Sequence, residues 1–119
     1  LEEKLFNDAL GNYHLSSGGG VDILTESGCR LICSAIRQAH GNALRLSIEW
    51  AAIEPERGQF DRQSLQKYIK ALQEIRRQGI TPLITLHHFV EPLWFSQMGG
   101  FLDRNNIRYF VEYALLVYK

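Results

Sequence analysis

The stretch ALRLSIEW at residues 43–50 decides the fold. It is short and bounded by Gly41 on one side and the Pro55 region on the other. Those features mark a strand. Downstream, Asp61 suits a helix N-cap, and a 3.6-residue apolar period follows from about Arg62 to Gln78. Leu65, Ile69, Leu72 and Ile75 form the expected inner stripe of that helix, and Gly79 stops it. A second apolar run, ITPLITLHHF at residues 80–89, reads as another strand, with Pro82 near its start where a missing N–H is tolerated. Asp103 then caps a last helix from Arg104 onward, with Ile107, Phe110, Val111, Ala114, Leu115 and Tyr118 on its apolar side.

Strand, helix, strand, helix, with apolar strands joined through a helix, implies an α/β fold with parallel pairing and right-handed crossovers. Such a β-α-β-α segment is a building block of a (β/α)8 TIM barrel. A whole barrel takes roughly 250 residues. The 119 residues therefore predict a partial barrel. The last helix runs into Lys119 without a stop signal and the first residue is Leu1, so the expectation is a chain cut from a longer one.

Upstream of residue 41 the periodicity is weak. The two expected parts are a poorly matching segment over 1–40 and the barrel part over 41–119. SSGGG at 16–20 interrupts the first part. A short helix is expected over Cys29–Gln38, with Leu31, Ile32, Ala35 and Ile36 on its apolar side.

Composition excludes several classes. The apolar share of 45% and charged share of 22% are globular values. The formal net charge is zero, which gives no basic surface for nucleic acid. No apolar run approaches the roughly 20 residues that span a bilayer. LEEKLFNDAL at the start has no basic-then-apolar signal pattern. Cys29 and Cys33, spaced C-x3-C, fit neither a redox C-x-x-C nor a four-ligand zinc site. They read as small core residues in a reducing compartment, and the expected location is cytoplasmic.

Barrel chemistry sits at the carboxyl ends of strands and in the loops that follow. That rule selects Glu49 and Trp50 after the first strand and His87, His88, Phe89 and Glu91 after the second. Strand alternation lets only one of the two histidines face the interior, and periodicity does not say which. Aromatic rings beside hydrogen-bond donors suit sugars, which present apolar C–H faces and hydroxyl rims. Arg45 is a charge within an apolar strand. Either it pairs with a carboxylate, which need not lie in this chain, or it snorkels from the strand's start. Glu49, Glu54, Glu56 and Glu91 are the carboxylates by type, and Glu54 and Glu56 flank Pro55 in what reads as a solvated turn.

These motifs carry a family resemblance. NALRLSIEW at 42–50, IEPERGQFD at 53–61, GITPLITLHHFVEPLWF at 79–95, GGF at 99–101 and NIRYFVEYALLVYK at 106–119 occur in order without visible gaps. Over residues 42–119 the chain resembles glycoside hydrolase family 1, the β-glucosidase and β-galactosidase family. The resemblance implies the second and third β/α units of a barrel that hydrolyses β-linked glycosides with retention, without metal or organic cofactor. It implies that Arg45 lies near the nucleophilic glutamate and helps keep it ionised. It implies that His88 donates to a sugar hydroxyl, with Phe89 standing where tryptophan is common. Ala52 stands where arginine is usual. The family's Asn-Glu-Pro acid/base motif, its Thr-Glu-Asn-Gly nucleophile motif and its Gln-x-Glu-Gly sugar-binding motif are not found in the 119 residues. No catalytic glutamate is therefore assigned, and the chain alone is expected to be inactive. The partners implied are a β-glycoside or oligosaccharide, with no nucleic acid and no membrane. Self-association through unpaired sheet edges, or complementation by other chains, is the alternative.

Overall fold

A computed structural model of the protein describes residues 21–119. The expected interruption at 16–20 and the N-terminal stretch lie outside the described residues. The element order is α1 (Glu26–Gln38), β1 (Ala43–Ser47), α2 (Trp50–Ile53), α3 (Arg62–Arg77), β2 (Thr81–Thr85), α4 (Leu93–Gln97) and α5 (Ile107–Tyr118), with 3-10 turns at Gly100–Leu102 and Arg104–Asn106. β1 and β2 form a two-stranded sheet. Thr81 N–H donates to Asn42 C=O at 2.9 Å and Ile48 N–H to Thr85 C=O at 3.0 Å. Positions advance together along both strands, so the pairing is parallel.

Two compact units divide the described chain. The first comprises 21–46 and 67–83, the second 47–66 and 84–119.

In the first unit, α1 starts at Thr25, whose Oγ1 accepts Gly28 N–H at 3.1 Å. Gly28 is required there, since a Cβ would lie 1.9 Å from the Asp22 carbonyl oxygen. The helix ends in a Schellman turn: His40 adopts φ 61° and Gly41 N–H donates to Ile36 C=O at 2.8 Å. Gly79 ends α3 the same way, at φ 79°, with Ile80 N–H donating to Ile75 C=O. The core joins Cys29, Cys33, Leu46, Ala71, Ile75 and Ile80. Burial, and then the neighbouring Cys33, push the Cys29 thiol up to about 11. Such a thiol is a packing group, not a nucleophile. Glu74 accepts from Arg77 at 2.6 and 2.8 Å and from Gln78 at 2.9 Å, and these bonds hold its carboxyl down at about 2.

The expected helix faces hold in part: Ile75 is in the core, with Leu72 and Ile36 packed against it. α1 begins at Glu26 and buries Cys29 and Cys33, while Leu31 and Ala35 are exposed. α3 buries Tyr68, Ala71 and Ile75, and Leu65, Ile69 and Leu72 are only half-buried. We therefore expect Ile75→Ala to cost about 2–5 kcal/mol through the cavity it leaves. Leu72→Ala should cost clearly less, and urea midpoints of the two variants check the order. A Leu72 effect equal to or larger than that of Ile75 would refute the assigned face.

In the second unit, Asp61 caps α3 as expected, with Oδ1 accepting the N–H groups of Gln63 at 2.9 Å and Ser64 at 3.3 Å. Both strands are shorter than their apolar runs. β1 stops at Ser47, because Trp50–Ile53 coils into a helical turn whose Ala52 and Ile53 N–H groups return to Glu49 C=O. β2 stops at Thr85, so His87, His88 and Phe89 lie in the loop beyond it. Strand alternation therefore does not apply to the two histidines. Asp103 caps the 3-10 turn that precedes α5, accepting Asn105 N–H at 2.9 Å. α5 buries Tyr113, leaves Phe110 and Ala114 half-buried, and exposes Ile107, Val111, Leu115 and Tyr118.

Candidate functional site

Trp50, fully buried, organises the second unit. Its ring stacks on Tyr113 at 5.1 Å with planes 10° apart, and meets Phe95 at 4.6 Å, Phe110 at 5.6 Å and Trp94 at 5.8 Å. Its Nε1–H donates to Glu54 Oε1 at 3.0 Å, and Gly58 N–H donates to Glu54 Oε2 at 3.2 Å. Glu54 is thus a buried carboxyl, 1% exposed, and not part of a solvated turn. Of the two glutamates flanking Pro55, Glu56, at the Glu56–Gln59 bridge, is exposed. The signal for Glu54 was present as a Trp-x-x-x-Glu spacing, which puts ring and carboxyl on one side of a helical turn.

Tyr113 carries the arrangement to the ends of both strands. Its hydroxyl donates between the carbonyls of Ile48, at 3.0 Å, and Leu86, at 3.1 Å. Ile48 precedes Glu49, and Leu86 precedes His87. The two strand-end segments are therefore fixed by one side chain from α5.

The histidines part at this point. His87 packs its ring edge-on against Phe101 at 5.1 Å and Phe110 at 6.4 Å, and its Nε2 lies 3.4 Å from Glu91 Oε2. That nitrogen is enclosed and has no hydrogen bond of good geometry. Glu91 is further engaged, accepting Ser96 O–H at 2.7 Å. His88 is half-buried, with its ring 4.6 Å from Phe89. Phe89 is 78% exposed and sits at φ 64°, a left-handed conformation costly for a bulky residue. An imidazole beside an open aromatic face offers a donor and an apolar platform together. Glu49 is half-buried at the start of α2.

Arg45 belongs to the first unit. It alternates with Leu44 and Leu46, which pack into that unit's core, so it lies on the opposite face of the sheet. It is exposed and makes no ion pair among the described residues. A cavity of about 390 Å³ in the same unit is lined by Ile23, Leu24, Cys29, Ala71, Glu74 and Arg77 among others, and by none of the candidate residues. Among the described residues no group of three or more His, Cys, Asp or Glu side chains is placed to hold a metal ion. No helix among them is long and apolar enough to cross a membrane.

Comparison with known proteins accounts for this architecture. Residues 33–119 match the family described as Glycosyl hydrolase family 1. A 6-phospho-beta-galactosidase of Clostridium acetobutylicum is 35% identical over 79 residues, which is 66% of this chain and 17% of that protein. One from Staphylococcus haemolyticus is 39% identical over 74 residues, 61% of this chain and 16% of its own length. Among solved structures, a beta-glycosidase from Pyrococcus horikoshii superposes with a TM-score of 0.69 at 39% identity, covering 74% of this chain and 21% of its own. A family 1 b-glucosidase from Thermotoga maritima gives 0.70 at 28% identity, over 75% of this chain and 20% of its own. The chain therefore spans about a sixth to a fifth of the length of the relatives it matches. Its two parallel strands and their helices are part of a TIM barrel. The ordered motifs, the β-α-β-α topology and these matches agree: the chain belongs to glycosyl hydrolase family 1.

Proposed function

We propose that residues 42–119 supply the second and third β/α units of a retaining β-glycosidase and form part of its sugar-binding wall. The observation that carries this reading is the split between the histidines. His87 is turned into Phe101 and Glu91, while His88 stands with the exposed ring of Phe89 in the loop after β2. In this reading His88 donates to a hydroxyl of a β-linked glucoside or galactoside, and Phe89 lies against the apolar face of the ring. Arg45 leaves the sheet on the side away from the helices and serves the nucleophilic glutamate. A guanidinium beside a carboxylate lowers its pKa and keeps it ionised for attack.

Retention requires two carboxyl groups about 5–5.5 Å apart, one acting as acid then base and the other as nucleophile. Neither of the family's glutamate motifs occurs in these 119 residues. The proposed activity is that of a barrel containing this segment, and the polypeptide by itself does not turn over. The direct test is a chimera in which 42–119 replaces the matching segment of a family barrel such as the Pyrococcus horikoshii enzyme. Hydrolysis of a nitrophenyl β-glucoside with retained configuration supports the reading. A folded, inactive chimera contradicts it.

A second reading has its own observation. Leu83 and Ile84 of β2 are exposed, as are Ile107, Val111, Leu115 and Tyr118, spaced along one face of α5. Apolar strand and helix surfaces of this kind associate, and the isolated chain is proposed to do so with itself or with complementing chains.

A further inference from the structure

We infer that Glu54 is a positioning residue, whose buried carboxyl sets the conformation of the His87–Phe89 loop through Trp50 and Tyr113. Both carboxyl oxygens are used, one by Trp50 Nε1–H at 3.0 Å and one by Gly58 N–H at 3.2 Å. The main-chain oxygen of Glu54 accepts Trp94 Nε1–H at 3.0 Å. One residue thereby ties α2, the turn at 54–59 and α4 together. The indole it orients lies nearly parallel to Tyr113, and the Tyr113 hydroxyl holds the Leu86 carbonyl that leads into His87. Without the carboxyl, the buried Trp50 N–H and the part-buried Gly58 N–H lose their acceptors, and the indole loses the contact that fixes its rotation.

The loop at the far end of this relay depends on such fixing. Phe89 at φ 64° adopts a conformation that persists only where its surroundings impose it. Loosening Tyr113 frees the Leu86 carbonyl, and the chain from His87 to Phe89 relaxes toward ordinary negative φ. The His88–Phe89 ring contact at 4.6 Å is lost with it. The geometry stands by itself; its consequence for sugar binding rests on the reading of His88 given above.

The experiment is NMR on the labelled 119-residue chain and its Glu54→Ala, Glu54→Gln and Trp50→Phe variants. A positive φ brings the Phe89 amide and α protons close and gives a strong intraresidue NOE. Glu54→Ala is expected to weaken that NOE at least twofold and to remove the His88–Phe89 ring NOEs. Amide shifts of Cys29, Ala71 and Ile75 in the first unit should stay in place. Glu54→Gln, which keeps an oxygen for Trp50, should retain most of both signals. An unchanged Phe89 NOE in Glu54→Ala, with the Trp50 indole resonance displaced, overturns the inference. If Glu54→Ala does not fold, Trp50→Phe decides by the same readouts, because it removes the indole donor and keeps an aromatic ring. Titration with methyl β-glucoside separates the two claims. In the chimera, an unshifted His88 resonance refutes the sugar-donor reading, while the Phe89 NOE of the 119-residue chain still judges the positioning role.

Discussion

Trp50→Ala is expected to destabilise the second unit by about 3–5 kcal/mol, the range for removing a fully buried large aromatic side chain. The ring is fully buried and meets four aromatic partners, Tyr113, Phe95, Phe110 and Trp94. Aromatic pairs of these geometries add to the area term. The substitution also leaves Glu54 Oε1 without its donor in an enclosed site. A loss of this size is comparable with the whole stability of a small domain. Amide hydrogen exchange in α5 should therefore accelerate by two orders of magnitude or more, at roughly tenfold per 1.4 kcal/mol. Protection in α1 reports the first unit separately. Trp94→Ala, which removes a half-buried ring, should cost less. Unchanged exchange in α5 of Trp50→Ala would show that the aromatic cluster is not the core of this unit.

The second large effect concerns recognition. In the active chimera, His88→Ala should lower kcat/KM by about 10- to 100-fold. That corresponds to roughly 1.4–2.7 kcal/mol, the range for a hydrogen bond lost between a protein and a polar ligand. His87→Ala should act differently, because His87 is occupied by Phe101, Phe110 and Glu91. It should lower the thermal midpoint and change kcat/KM less than His88→Ala does. Equal losses of kcat/KM from the two variants, with equal stability, would remove the distinction between them.

Much of this was legible from residues alone. The strand-helix-strand-helix order, Asp61 as cap and Gly79 as stop follow from local chemistry, and each is found. Where the runs end was less legible. The apolar stretch through Ile48 and Trp50 continues past β1 because both residues are buried, Trp50 in an aromatic cluster. Hydrophobicity reports burial and not backbone conformation. The same limit applies to helix phase. α3 carries apolar residues on adjacent positions, so periodicity gives spacing and Ile75, while packing adds Tyr68 and Ala71. On α5, Tyr113 wins the buried side because its hydroxyl finds the carbonyls of Ile48 and Leu86. Glu54 escaped notice because a charged residue beside proline reads as surface, and only the two N–H donors make its burial tolerable.

We propose that these residues are a binding wall of a family 1 barrel, without its catalytic carboxylates. The purified chain can be assayed with nitrophenyl β-glucoside while its size is followed by gel filtration. No hydrolysis above background is expected in any fraction of the pure chain. Appreciable turnover eluting with the monomer would contradict it.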